Sequence, residues 1–207
     1  YRNASDACDN ARAVKDAAEQ EAMRASSRVN DDCMAEFRAL IRPGITEKEM
    51  ADAIRGIYAA HGCSDVSFAP ICGFGPHAAD PHHENDDTPL AAGQCVLIDV
   101  GGVYHDYCSD MTRTFFTGQP SEEERKVYEL VRQAQAAAEA LVRPGVRLCE
   151  IDAAARDLIT AAGYGPWFNH RLGHFIGLED HEAGDVSAAN SDVVVPGMCF
   201  SIEPGIY

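Results

Sequence analysis

The chain is short of positive charge. Lysine and arginine number 17 against 33 aspartates and glutamates, which leaves a net charge of −16. Phosphate binding needs a basic face, so this balance argues against a nucleic-acid partner and against docking on an anionic membrane. Long apolar runs are missing as well: nothing approaches the roughly 18 residues of a membrane span. No CxxC pair occurs among the eight cysteines, at 8, 33, 63, 72, 95, 108, 149 and 199, and no disulfide framework is evident. Several sit in apolar runs, where a thiol packs as a small hydrophobe, and they read as reduced cysteines of a cytoplasmic protein. The N-terminal Tyr-Arg-Asn-Ala-Ser-Asp has neither an initiator Met nor a signal-peptide core. It reads as cut out of something longer. The 207 residues are 46% hydrophobic, enough for one substantial core or two small ones.

Residues 1–12 are polar and say little. Asp16 followed by Glu19 is a capping pattern. Ala22, Ala25, Val29, Cys33, Phe37 and Leu40 then recur at helical spacing, which predicts a helix to about Ile41. Arg42-Pro43-Gly44 breaks it. Thr46 with Glu49 starts a second helix through Met50, Ile54, Ile57 and Tyr58, ending at Gly62. Residues 65–75 are β-prone. Ser121 with Glu124 caps a third helix that ends at Arg143-Pro144-Gly145, and a fourth spans about 149–162.

The stretch 95–117 carries two acids in a β-hairpin pattern: Asp99 in the apolar run Val96–Val100, and Asp110 ahead of the β-prone run Thr112–Thr117. If the turn centres on Tyr104 and His105, the two acids oppose each other, about 5 Å apart. Two carboxylates that close need a shared proton or a cation, and a hard divalent metal suits them. Histidines cluster nearby in sequence: His77, His82 and His83 on one loop, and His170, His174 and His181 among glycines and apolar residues.

The chain also repeats itself. Ala39 to Gly62 set over Ala140 to Gly163, an offset of 101, matches at 10 of 24 positions without a gap. Gly93 to Gly101 set over Gly197 to Gly205, an offset of 104, places Asp99 on Glu203. Two related helix-plus-hairpin halves follow. A site at their joint would take Asp99 from one half and Glu203 from the other. A counterpart of Asp110 would lie beyond Tyr207, so the repeat predicts that the chain stops one carboxylate short. Asp99, Asp110, Glu203 and at least one His make an oxygen-rich set suited to two divalent ions of the Mn, Co or Zn type.

The motifs Ala-Asp-Pro-His-His, Leu-Ile-Asp-Val-Gly, Tyr-Cys-Ser-Asp-Met-Thr-Arg-Thr-Phe, His-Arg-Leu-Gly-His-Phe-Ile-Gly-Leu and Ser-Ile-Glu-Pro-Gly-Ile-Tyr resemble the pita-bread metallopeptidases. That group includes methionine aminopeptidase, prolidase, Xaa-Pro aminopeptidase and creatinase. The resemblance runs from about Val14 to Tyr207. It implies an α+β pita-bread fold: two pseudo-symmetric helix-plus-hairpin halves around a curved antiparallel sheet. It implies a linker over 1–13 from an absent N-terminal domain, then a catalytic domain over 14–207. Two divalent metal ions are implied, with Mn first and Co or Zn as rivals.

Residue by residue, Asp99 resembles the ligand of one metal only and Asp110 the bridging Asp. His174 resembles the ligand of the other metal, and Glu203 that metal's carboxylate and the proton shuttle. His82, His170 and His181 resemble the non-ligand histidines that hold substrate and stabilise the tetrahedral intermediate. His83 is the rival for His82's place. His77 has no family role and reads as solvated loop. The forms Tyr-Cys-Ser-Asp-x-Thr-Arg-Thr and His-Arg-x-Gly-His resemble the prolidase and Xaa-Pro aminopeptidase branch, which implies short proline-containing peptides as substrates and a homodimer at full length. The family's last bridging Glu lies past Tyr207, so weak metal binding and little activity are expected of this stretch alone. A creatinase-like C–N hydrolase and a non-catalytic peptide-binding module are the alternative functions on the same fold.

Overall fold

The computed structural model describes residues 5–207. In chain order, α1 spans Ser5–Ala13, α2 Ala17–Leu40 and α3 Glu47–Ala60. Six short strands follow: β1 (Asp65–Val66), β2 (Ile71–Phe74), β3 (Cys95–Val100), β4 (Gly102–Tyr104), β5 (Tyr107–Cys108) and β6 (Met111–Phe116). Then come α4 (Glu122–Leu141), α5 (Leu148–Ala161), β7 (Gly173–Phe175) and β8 (Glu182–Val186). All pairings are antiparallel, in sheets ordered β1-β4-β5, β2-β3-β6 and β7-β8. The fold is α+β. Two compact units divide the chain: an inner one of Glu21–Ser121 with Tyr207, and a flanking one of residues up to 20 together with 122–206. The names refer to place along the chain.

The four helices expected from the sequence begin and end within a residue or two of those bounds. Asp16 accepts the N–H of Glu19 at 2.9 Å while the Glu19 carboxylate accepts the N–H of Asp16 at 2.7 Å, which starts α2. Thr46 and Glu49 exchange the same pair of bonds at the head of α3. Each such cap satisfies N–H groups that no helical carbonyl reaches. α1 has no counterpart in the reading of residues 1–12. Its last turn is tied down by tertiary bonds: Arg12 donates to Glu182 at 2.8 Å.

Each unit has its own core. In the inner unit Cys33 and Phe37 of α2 meet Met50, Ile54 and Tyr58 of α3 and the Val96, Ile98 and Val100 face of β3. In the flanking unit Ala134 and Ala138 of α4 meet Leu148, Ile151, Ala155 and Ile159 of α5, with Phe175 and Val186. Along β3 the residues alternate, Val96, Ile98 and Val100 buried and Cys95, Leu97 and Asp99 partly exposed. Period-two alternation is what a half-buried strand requires.

The repeat holds at the level of hydrogen bonds inside each unit. Gly44 donates to Leu90 O at 2.8 Å and Gly145 to Val194 O at 3.0 Å; Leu90 donates to Ile45 O and Val194 to Val146 O, both at 2.8 Å. Gly44 and Gly145, Gly62 and Gly163, and Gly93 and Gly197 all have positive φ, between 80° and 96°. Ile71 pairs with Asp99, and at the matching place Glu203 N–H donates to Leu172 O at 2.8 Å. Asp99 and Glu203 therefore occupy equivalent positions in the two units.

The hairpin register differs from the expectation. Its tip is His105-Asp106, with φ of 52° and 66°, and Asp99 stands opposite Thr112 instead of Asp110. Moving the turn centre by one residue moves every partner by two. Asp110 lies just before β6, two residues along the strand from Thr112.

Candidate active-site residues

In the flanking unit β7 carries His174, which is 2% exposed. Its backbone N–H donates to Ser201 Oγ at 2.9 Å and its carbonyl accepts from Ser201 N at 2.8 Å. The ring Nδ1 sits 3.1 Å from the carbonyl of Phe175. A carbonyl only accepts, so Nδ1 carries a proton, and Nε2 is the ring atom left to face Glu203. That Nε2 lies 3.3 Å from Glu203 Oε1. Ser201 Oγ donates to the same oxygen at 3.0 Å. A lone pair facing a carboxylate is repulsive unless a proton or a cation lies between them. Two donors on one ion with bonds of about 2.0–2.2 Å stand roughly 3.3 Å apart, so this pair fits a divalent metal. The His181 ring packs edge-on to His174, centroids 4.0 Å apart, and is otherwise exposed, beside Asp180 at 3.6 Å.

In the inner unit Asp99 accepts from Thr112 Oγ1 at 2.8 Å. The hydroxyl fixes one oxygen of the carboxylate on the strand face opposite the core. Burial pushes the neighbouring Tyr58 phenol well up, and the charges of Asp110 and Asp99 add to this. Tyr58 instead stays protonated and donates to Asn30.

The histidine loop is divided. His82 is exposed, and its backbone N–H donates to Asp80 at 3.0 Å. His83 is nearly buried, with Nε2 2.6 Å from Glu47 Oε2. His77, read from sequence as solvated, places Nδ1 2.9 Å from Glu47 Oε1. The correction has a tertiary cause: Glu47, at the start of α3, is 0% exposed and draws both rings. Nothing in the capping pattern of Thr46 to Glu49 distinguished Glu47 from an ordinary first-turn acid.

Two further groups escaped the sequence reading. Glu182 is buried and accepts from Arg12 at 2.8 Å, Lys15 at 2.8 Å and Leu178 N at 2.9 Å, beside His181 in the chain. Burial alone would raise its carboxyl; the bonds from Lys15 and Arg12 outweigh that and hold it below the usual range. Arg156 pairs with buried Asp152 through two 2.8 Å bonds and donates to the carbonyls of Phe168 at 3.0 Å and His170 at 2.9 Å. It thereby anchors the segment bearing His170, whose own ring Nδ1 lies 2.6 Å from the Arg171 carbonyl. Among the described residues no helix is long and apolar enough to cross a membrane.

Comparison with known proteins gives concordant matches. The profile of metallopeptidase family M24 matches residues 21–207. An uncharacterized peptidase of Staphylococcus haemolyticus is 43% identical over 196 residues, 95% of this chain and 56% of the relative. A prolidase structure from Thermococcus sibiricus superposes with a TM-score of 0.97 at 39% identity, covering 100% of this chain and 56% of that one. An X-Pro aminopeptidase structure from Thermotoga maritima gives 0.94 at 36% identity, covering 98% and 57%. The chain thus spans little more than half the length of these relatives.

Proposed function

Because the chain belongs to metallopeptidase family M24, we propose that it is the catalytic part of a peptidase that cleaves the bond preceding proline, as an Xaa-Pro dipeptidase or Xaa-Pro aminopeptidase. The observation that carries the reading is His174 Nε2 and Glu203 Oε1 at 3.3 Å, with the proton of His174 fixed on Nδ1 by the Phe175 carbonyl. Asp99, Asp110, His174 and Glu203 are the proposed ligands of two divalent ions, Mn first, with Co and Zn as rivals. Bound metal supplies Lewis acidity toward the peptide carbonyl and toward water.

The residues divide the remaining work. Water adds to the carbonyl carbon of the residue before proline. Glu203 takes one of its protons and delivers it to the proline nitrogen as the C–N bond breaks. His82 and His181 donate to the oxyanion that develops, and His170 holds the substrate. A homodimer at full length and a cytoplasmic location complete the reading; eight free thiols support the latter.

The test loads the full-length protein with Mn²⁺, offers Ala-Pro and Ala-Pro-Ala, and follows free alanine. Release from the dipeptide alone identifies a dipeptidase, and release from the tripeptide an aminopeptidase. No release from either, with metal bound, sinks the proposal.

A further inference from the structure

Three side chains of the inner unit that are not among the proposed ligands converge on one point: Glu47, His77 and His83. The Glu47 carboxylate is out of water. It accepts the N–H of Phe74 at 3.0 Å and of Asp86 at 3.2 Å, and faces His77 Nδ1 at 2.9 Å and His83 Nε2 at 2.6 Å. Among the described residues no lysine or arginine bonds to it. A buried carboxylate needs positive charge nearby. Two imidazolium rings are a poor source, since these lie 4.3 Å apart at 32° and would repel each other. Two neutral rings offer the carboxylate hydrogen bonds but no charge.

A divalent cation supplies charge without protonating either ring, because it binds neutral imidazole and ionised carboxylate together. One donor atom from each of the three residues lies within 4.8 Å of the others. A four-coordinate zinc with bonds of about 2.0–2.1 Å holds its donors about 3.4 Å apart, so small rotations of the two rings close the set. Two histidines and one glutamate leave a fourth position for water, and His77 is one-third exposed. Asp80, Glu84, Asp86 and Asp87 on the same loop favour a cation further.

We propose that Glu47, His77 and His83 form a second metal site for a borderline divalent cation of the zinc type. It fastens the loop 77–87, which bears His82, to the head of α3. The proposal does not rest on the peptidase reading.

The test counts zinc. The full chain is prepared with Asp110→Asn and His174→Gln, which disable the centre proposed above, dialysed against micromolar Zn²⁺, and assayed by atomic absorption. About one zinc per chain is expected to remain. Adding His77→Asn, whose amide still donates to Glu47, is expected to remove it with the circular dichroism spectrum unchanged. Substoichiometric Zn²⁺ is also expected to shift the ring NMR signals of His77 and His83 in the chain that keeps both, a readout independent of whether the His77 variant folds. Absence of zinc from the Asp110/His174 variant, or zinc indifferent to His77→Asn, overturns the site and leaves a proton shared between Glu47 and the rings. Peptide cleavage plays no part in the count, so failure of the peptidase reading leaves this result intact.

Discussion

Glu182→Gln removes one carboxylate from between two cations. The Lys15 side chain is 2% exposed and that of Glu182 3%, so the substitution leaves a buried ammonium facing an amide. Breaking such a pair from one side costs about 3–5 kcal/mol, most of it the penalty for the stranded charge. Arg12 is 31% exposed and can turn to water, so its share is small. For a chain of this size each kcal/mol moves the melting midpoint by about 2–4 °C, which gives a fall of ~6–20 °C by circular dichroism at neutral pH. Lys15→Met combined with Glu182→Gln should recover about half of that fall, since no unpaired charge is then buried. The pH dependence has a defined sign. The Glu182 carboxyl is held below its ordinary 4.5, so its contribution is complete above pH 4.5 and is lost as the pH falls through the lower folded value. The gap between native and variant midpoints should close in that window. A fall of less than about 2 °C, or a gap that ignores pH, refutes the reasoning.

Other positions respond in equally specific ways. Gly173→Ala places a Cβ 1.9 Å from the Ser201 carbonyl oxygen, backbone that cannot step aside, and should cost about 3 kcal/mol or more in a denaturant titration. Gly56→Ala, inside α3 with nothing within 4 Å of the new methyl, should raise stability by about 0.5–1 kcal/mol. His174→Ala should lower Ala-Pro cleavage at least about 100-fold and remove bound Mn²⁺ with it; retained metal would refute its role as a ligand. Mn²⁺ at about 100 times its dissociation constant should stabilise the fold by ~2.7 kcal/mol, reversed by EDTA; an unmoved melting curve argues against any metal ligation.

The helices and the two-fold repetition are legible in the sequence because both are local patterns. Apolar spacing, the Thr46–Glu49 cap and the Arg-Pro-Gly breaks each act within a few residues, and α2, α3 and α5 end within a residue or two of where those signals stand. The repeat adds a longer-range inference that still needs only alignment. It equates Asp99 with Glu203, and the ladder bonds of Ile71 and Leu172 bear that out.

The hairpin register was not readable in the same way. The turn at His105-Asp106 puts two non-glycine residues at positive φ, without the Asn-Gly signature that announces such a turn. The histidine loop shows the same limit. His77, His82 and His83 are equivalent in composition, yet only a buried acid 30 residues earlier decides which rings turn inward.

Sequence pattern therefore determined α2 to α5, the strands on either side of the hairpin turn and the internal repeat that equates Asp99 with Glu203. Tertiary structure alone decided the Asp99–Thr112 pairing, the Nδ1 proton of His174, the Glu47 cluster and the burial of Glu182 with Lys15. The physical reason is range. Periodicity and capping report free energies that arise between neighbours along the chain. Protonation, desolvation and hydrogen-bond direction depend on which groups meet through space, and Lys15 meets Glu182 across 167 residues.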